Sequence, residues 1–372
     1  MMSTEGKPPL KDKNFDPEAT VALIYPFISP LFAVYEIQRS GTSLFFYGTP
    51  KRNPEEIIGL LWEPLESLGL QFDLKYQLGE YVLFVMPKKK KKEKIGLNIA
   101  LFLATVLTTM FAGATMFGVD LLQEPAQFTK GYPFTLALMA ILGSHEMAHF
   151  LAARYHGMRT SLPYFIPFPA FIGTLGAVIK YRGPIPSRKA LFDVGVAGPL
   201  VGLLVSVGVC IIGLSLEAPA LAQAPDAYTF SLGLPPLFLL LQNLLGIAKD
   251  SIIHPVAFAG WVGMFVTLLN LLPAGQLDGG HILRAMLGKK ALKISAVIPF
   301  LLLGTGLYVI FGLKEDGFLW IFWGFFLSLF AAAGHPTPLR DREKLDRKRL
   351  FLGWLTFFLG LLCFTLVPFR IA

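Results

Sequence analysis

Residues 143–149 read Gly-Ser-His-Glu-Met-Ala-His, so His145, Glu146 and His149 form the pattern HExxH. On a helix, positions i and i+4 share one face a turn apart. Both imidazoles can then be directed at one Zn²⁺ while the adjacent glutamate reaches its water as a general base. A catalytic zinc usually takes three protein ligands and keeps one position open, so another buried segment must supply a third His, Asp or Glu. Residues 270–280, NLLPAGQLDGG, offer Asp278: Pro273 and Gly275 break a helix, and Gly279 and Gly280 give the aspartate backbone freedom. His281 is the rival, ranked second. By itself Asp278 reads equally well as a turn residue capping the next segment. The bland reading of HExxH is a polar cluster that glues helices together.

The elements that must position these groups are apolar. The chain of 372 residues is 54% hydrophobic and 16% charged, against about 45–50% and about 25% in soluble globular proteins. That excludes an ordinary soluble enzyme. Apolar runs at 95–118, 132–154, 190–216, 255–272, 291–313, 318–333 and 350–367 read as about seven helical spans, the sixth short for a bilayer. The motif lies within the second. A charge at the centre of a span costs ~2.5–3.5 kcal/mol on insertion scales, so ionisable groups there are functional by default. With a rise of 1.5 Å per residue, His145 sits roughly 14 Å below the end of its helix at Arg154.

The formal charge of +8 comes from 33 Lys and Arg against 25 Asp and Glu. These charges lie between the spans, which speaks for membrane orientation and against nucleic acid as a partner. Alternate threading puts 22 Lys and Arg on the side of the Lys88–Lys92 run and four (Lys130, Lys249, Lys314, Arg370) on the other. The positive-inside rule makes the first side cytoplasmic, in a multi-pass protein of the cell membrane. Cys210 and Cys363 fall inside spans and act as small apolar residues. Residues 1–20 are polar, read as a disordered lead, and show no signal-peptide pattern.

Residues 21–87 read as a small soluble α+β domain, ββαββ, followed by a basic linker at 88–94. Residues 21–35 are apolar but short and carry Pro26 and Pro30, so they read as a turn into a strand. Strands at 31–38 and 42–47 join at Arg39–Gly41, and Asn53, Pro54, Glu55 and Glu56 start a helix running to Gly69. A second hairpin, 70–76 with 80–85, turns at Gly79. The remaining irregular segment, 162–181, is apolar yet carries Pro163, Pro167, Pro169, Gly173 and Gly176. It reads as a re-entrant β-hairpin. Irregular backbone at membrane depth must be covered by protein or line a cavity. Residues 235–245 read as a short helix at the interface or packed on the bundle.

HEMAH together with NLLPAGQLDGG resembles the site-2 protease family of intramembrane zinc metalloproteases, and within it the EGY-type branch. IGTLGAVI at 172–179 is similar to that family's re-entrant hairpin, and AGPLVG at 197–202 to its Gly-Pro element. The likeness covers about residues 95–288, leaving 289–372 as additional spans. The resemblance implies that His145, His149 and Asp278 hold Zn²⁺, that Glu146 is the general base and that Asn270 helps to orient substrate. The substrates would be transmembrane proteins, unwound locally because a helix hides its carbonyls. Gly173 and Gly176 would let the hairpin approach the unwound segment and present it with an edge strand. Two rivals stand beside this reading: a catalytically silent binding protein of the same fold, and a metal or solute transporter. A transporter would be expected to show two related halves, which are absent from this sequence.

Overall fold

In a computed structural model of the chain, the structure describes residues 16–77, 79–88, 95–170, 172–218, 230–248, 251–331 and 337–371. The chain divides into two compact units, Met1–Glu93 and Lys94–Ala372.

The first unit opens with a helix, α1 (Pro17–Ile28), where the sequence reading put a disordered lead to residue 20 and then a turn into a strand. The reason is local. Asp16 caps the helix by accepting from the Glu18 N–H at 2.9 Å, and Pro17 takes the first position. Thr20, Ile24 and Ile28 then fall four apart on one buried face, and the helix accommodates Pro26. Residues 1–15 lie outside the described residues, as do 89–94 of the basic linker. The rest of the order is β1 (Phe32–Ser40), β2 (Ser43–Pro50), α2 (Pro54–Ser67), β3 (Leu70–Gln77) and β4 (Glu80–Pro87), so the unit is αββαββ instead of ββαββ. Its antiparallel sheet runs β1-β2-β4-β3. Ile24, Phe32, Leu44, Phe46, Ile57, Leu61, Leu65 and Leu83 form its core.

Among the described residues, the second unit has four helices long and apolar enough to cross a membrane: Ile95–Met116, Pro125–Tyr155, Arg188–Leu214 and Asp278–Leu313. Two shorter apolar helices, Pro255–Asn270 and Phe318–Leu329, lie at the places read as spans four and six, and Arg347–Leu362 lies at that of span seven. The elements are α3 (Ile95–Met116), α4 (Tyr132–Tyr155), the hairpin β5 (Tyr164–Pro167) and β6 (Thr174–Val178), and α5 (Arg188–Leu214). Then come β7 (Phe230–Leu232), α6 (Pro236–Leu244), α7 (Pro255–Asn270), α8 (Asp278–Leu287), α9 (Ala291–Leu307), α10 (Phe318–Ala331), α11 (Arg347–Leu362) and β8 (Phe369–Ile371). This is a polytopic helical membrane protein. Its outward face is apolar, with Leu107, Phe300 and Phe358 all more than half exposed, which suits lipid and would be a liability in water.

At the centre α4, α5 and α7 pack on one another, with Leu138, Ile141, Leu203, Cys210, Trp261 and Met264 in the shared core. Both cysteines are free and buried. Outside this core, β7 pairs with β8, joining the segment before α6 to the end of the chain, a contact with no signal in the local sequence. The β5–β6 hairpin lies against α3. Asn98 of α3 donates to the Leu162 and Pro163 carbonyls at 3.1 and 2.9 Å, and Thr108 donates to the Gly173 carbonyl at 2.6 Å.

Candidate metal centre

His145, Glu146 and His149 are all buried in the lower half of α4, and α5 and α8 close over them. His149 Nδ1 donates to the Val194 carbonyl of α5 at 2.8 Å. That bond fixes the tautomer and turns the lone pair of Nε2 inward. His149 Nε2 and His145 Nε2 stand 3.1 Å apart, and Asp278 Oδ2 lies 3.4 Å from the first imidazole of the motif and 3.3 Å from the second.

Asp278 is brought there by the break read in the sequence. α7 ends at Asn270, the backbone turns through Gly275 at φ +52°, and α8 restarts with Asp278 as its first residue. Gly279 and Gly280 are needed for packing: a Cβ on either would lie 2.2 or 2.4 Å from the Leu271 or Gly275 carbonyl oxygen.

The floor of the site is α5, which turns glycine towards both imidazoles. A Cβ on Gly198 would lie 2.1 Å from His149 Nε2, and one on Gly202 would lie 2.9 Å from His145 Nδ1. The Gly-Pro element noted in the sequence is thus the surface on which the two rings rest. Val194, Gly198 and Gly202 had no individual signal, because their role depends on which helix they face.

The three donors fit a zinc ion. Ligands about 2.0–2.1 Å from a tetrahedral centre stand roughly 3.3 Å from one another, and the three donor separations here run from 3.1 to 3.4 Å. Two imidazoles and one carboxylate are also a donor set that catalytic zinc takes. Among the described residues, this is the group of His, Cys, Asp or Glu whose ligand atoms converge in this way. His281 is not in it; its Cβ packs towards Gly195 of α5.

Glu146 points to the hairpin side, with its carboxylate near the Ile179 backbone N–H. Asn270 Nδ2 lies 3.4 Å from His145 Nε2, placing it at the rim of the same group. Tyr181, at the foot of the hairpin, is within electrostatic reach of Glu146 and Asp278 and was not singled out in the sequence. The two hairpin glycines part company. Gly173 (φ +85°) is pressed against α3, where a Cβ would meet Thr109 Cα at 2.4 Å, whereas Gly176 (φ +98°) has open space beside it.

Residues 133–303 match the model of peptidase family M50. That stretch, just under half of the chain, is similar to M50, or site-2 protease, domains. The M50 region starts at the head of α4 and ends within α9, so it takes in His145, Glu146, His149, Asn270 and Asp278 and leaves out α3, which the resemblance had included.

Relatives of the chain carry EGY names. The probable zinc metalloprotease EGY1, chloroplastic, of Arabidopsis thaliana is 31% identical over 265 residues, 66% of this chain and 45% of that protein. EGY2 of Oryza sativa subsp. japonica, of the same description, is 32% identical over 240 residues, 63% of this chain and 42% of its own. The probable zinc metallopeptidase EGY3, chloroplastic, of Arabidopsis thaliana is 33% identical over 258 residues, with the same two shares. The chain spans less than half the length of each of these relatives. No solved structure matches it.

Proposed function

We propose that this chain is an intramembrane zinc metalloprotease that hydrolyses peptide bonds within or near transmembrane segments of membrane proteins. The observation that carries the reading is the convergence of His145, His149 and Asp278, with Glu146 beside them, inside a helix bundle. The zinc metalloprotease names of the relatives point the same way.

His145, His149 and Asp278 would hold the ion. When bound there, zinc would supply Lewis acidity for the hydrolysis. Glu146 takes a proton from the attacking water and returns it to the leaving amine. The Val194 carbonyl keeps His149 in one tautomer, and Asn270 hydrogen-bonds a substrate carbonyl at the rim. The surrounding apolar helices keep bulk water from the reacting groups.

The finer architecture belongs to the same proposal. The bundle crosses the membrane about seven times, with the 16-residue α7 and α11 and the 14-residue α10 serving as short or tilted crossings. The β5–β6 hairpin is re-entrant and offers β6, through the open side of Gly176, to an unwound substrate strand. Because the split of Lys and Arg is 22 to 4, the N-terminal unit and the site face the cytoplasmic side. That unit recruits substrate or regulates access.

The test is purified protein in detergent with a helix-destabilised transmembrane peptide. Wild type should cleave it, and Glu146→Gln should reduce cleavage by two orders of magnitude or more while retaining zinc. Full activity in Glu146→Gln would sink the assignment.

A further inference from the structure

Arg284 and Asp341 meet in a two-bonded fork, Nη1 to Oδ1 and Nη2 to Oδ2, both at 2.8 Å, with Arg284 only 3% exposed. Arg284 lies on α8, the ten-residue helix that begins with Asp278. Asp341 belongs to the connection between α10 and α11, beyond the M50 region that ends at residue 303.

The same connection is fastened to α5. The Leu339 N–H donates to the Ile185 carbonyl at 2.9 Å and the Arg340 N–H to the Pro186 carbonyl at 3.2 Å, just ahead of α5. Leu345 is buried in the same apolar cluster as Phe192, Ile282 and Met286. Arg349, in the first turn of α11, then grips Asp193 of α5 with Nε to Oδ1 and Nη2 to Oδ2, both at 2.7 Å. His156 Nε2 meets that carboxylate at 2.9 Å. Asp193 directly precedes Val194, the acceptor for His149.

Arg188 of α5 closes the arrangement by donating to the Ala285 and Met286 carbonyls at the end of α8, at 2.8 and 2.9 Å. α8 enters from a glycine turn and has no side-chain cap at its start. Its position therefore depends on its packing against α5 and on what holds its far end. A buried arginine–carboxylate fork is weak evidence for stability, since apolar replacements often do as well. Its value lies in fixing geometry, and a ligand must be held to about 0.5 Å.

We propose that residues 337–349 form a buckle that ties α8 to α5 and so sets Asp278 against His145 and His149, with Asp341 and Arg349 as positioning residues. The proposal rests on the zinc protease reading. It makes the C-terminal part of the chain, outside the M50 match, a component of the metal centre.

The experiment measures zinc affinity of the full chain in detergent by competition with a chelator, beside the apo-protein's thermal midpoint and the cleavage rate. Asp341→Asn and Arg349→Met should each weaken zinc binding 10- to 100-fold, the range for partners that orient ligands. The apo midpoint should move little in Arg349→Met, whose pair is partly exposed, and should drop in Asp341→Asn, which leaves the buried Arg284 unpaired; in both, the cleavage rate at saturating zinc should fall less than the affinity. Arg349→Lys, which keeps the charge and loses the fork, should fall between. Lys348→Met, exposed on the same turn, should match wild type. If Asp341→Asn fails to fold, Arg349→Met decides, because its partner Asp193 is partly exposed and can take water. Wild-type zinc affinity in the folded variants overturns the buckle alone. A wild-type protein without zinc affinity overturns the protease reading and the buckle together.

Discussion

Gly198 of α5 and His149 of α4 are packed so closely that the smallest side chain would not fit between them: a Cβ on Gly198 would stand 2.1 Å from Nε2. Alanine in place of glycine inside a helix ordinarily adds about 0.5–1 kcal/mol of stability. Gly198→Ala should therefore leave the bundle folded while pushing the imidazole off its ligand position. Zinc content, read by atomic absorption, should fall by at least tenfold with an unchanged thermal midpoint of the apo-protein. Full occupancy in the variant would mean that the ring has room the structure does not show.

The third ligand can be decided by comparing two residues on one helix. Asp278→Ala should lose zinc and cleavage together, as should His149→Ala, because each leaves two protein ligands. His281→Ala should keep zinc near one per chain. Loss of metal in His281→Ala with retention in Asp278→Ala would reverse the assignment.

Asn98 ties α3 to the hairpin through two carbonyls and is itself buried. Asn98→Ala leaves those carbonyls without their donor, at about 1–3 kcal/mol each for full burial, and so loosens residues 162–181. Hydrogen exchange over the hairpin should rise, and cleavage of a transmembrane peptide should drop severalfold with zinc content unchanged. Protection equal to wild type would show that α3 does not hold the hairpin.

Sidedness can be read by cysteine labelling, since Cys210 and Cys363 are buried and give little background. Lys344→Cys should label from the cytoplasmic side and Lys130→Cys from the opposite one; both residues are exposed. Labelling of both from one side would refute the threading.

The N-terminal unit has its own core, so residues 16–88 expressed alone should unfold cooperatively. Leu61 is fully buried there, and Leu61→Ala should destabilise the unit by about 2–5 kcal/mol. A chain lacking the unit should still bind zinc but cleave its native substrates at an altered rate. Unaltered cleavage of every substrate would remove the proposed role.

The sequence determined whatever depends on local spacing. HExxH sets two imidazoles and a carboxylate on one helical face by geometry alone. Pro273, Gly275 and the glycine pair announce a break next to Asp278, and the apolar runs place both in a membrane. The strands of the first unit were legible from their glycine turns. α1 was not, because two prolines argued against a helix whose capping residue and i+4 burial outweighed them. Only the tertiary structure decided which surfaces meet. It put Gly198 and Gly202 under the imidazoles, turned the close approach of Gly173 towards α3, and brought the Asp278 carboxylate to within 3.4 Å of both imidazoles. It also carried Asp341 and Arg349 back to α8 and α5. Such contacts join residues far apart in the chain, and their partners depend on how whole helices pack, which no local pattern of residues encodes.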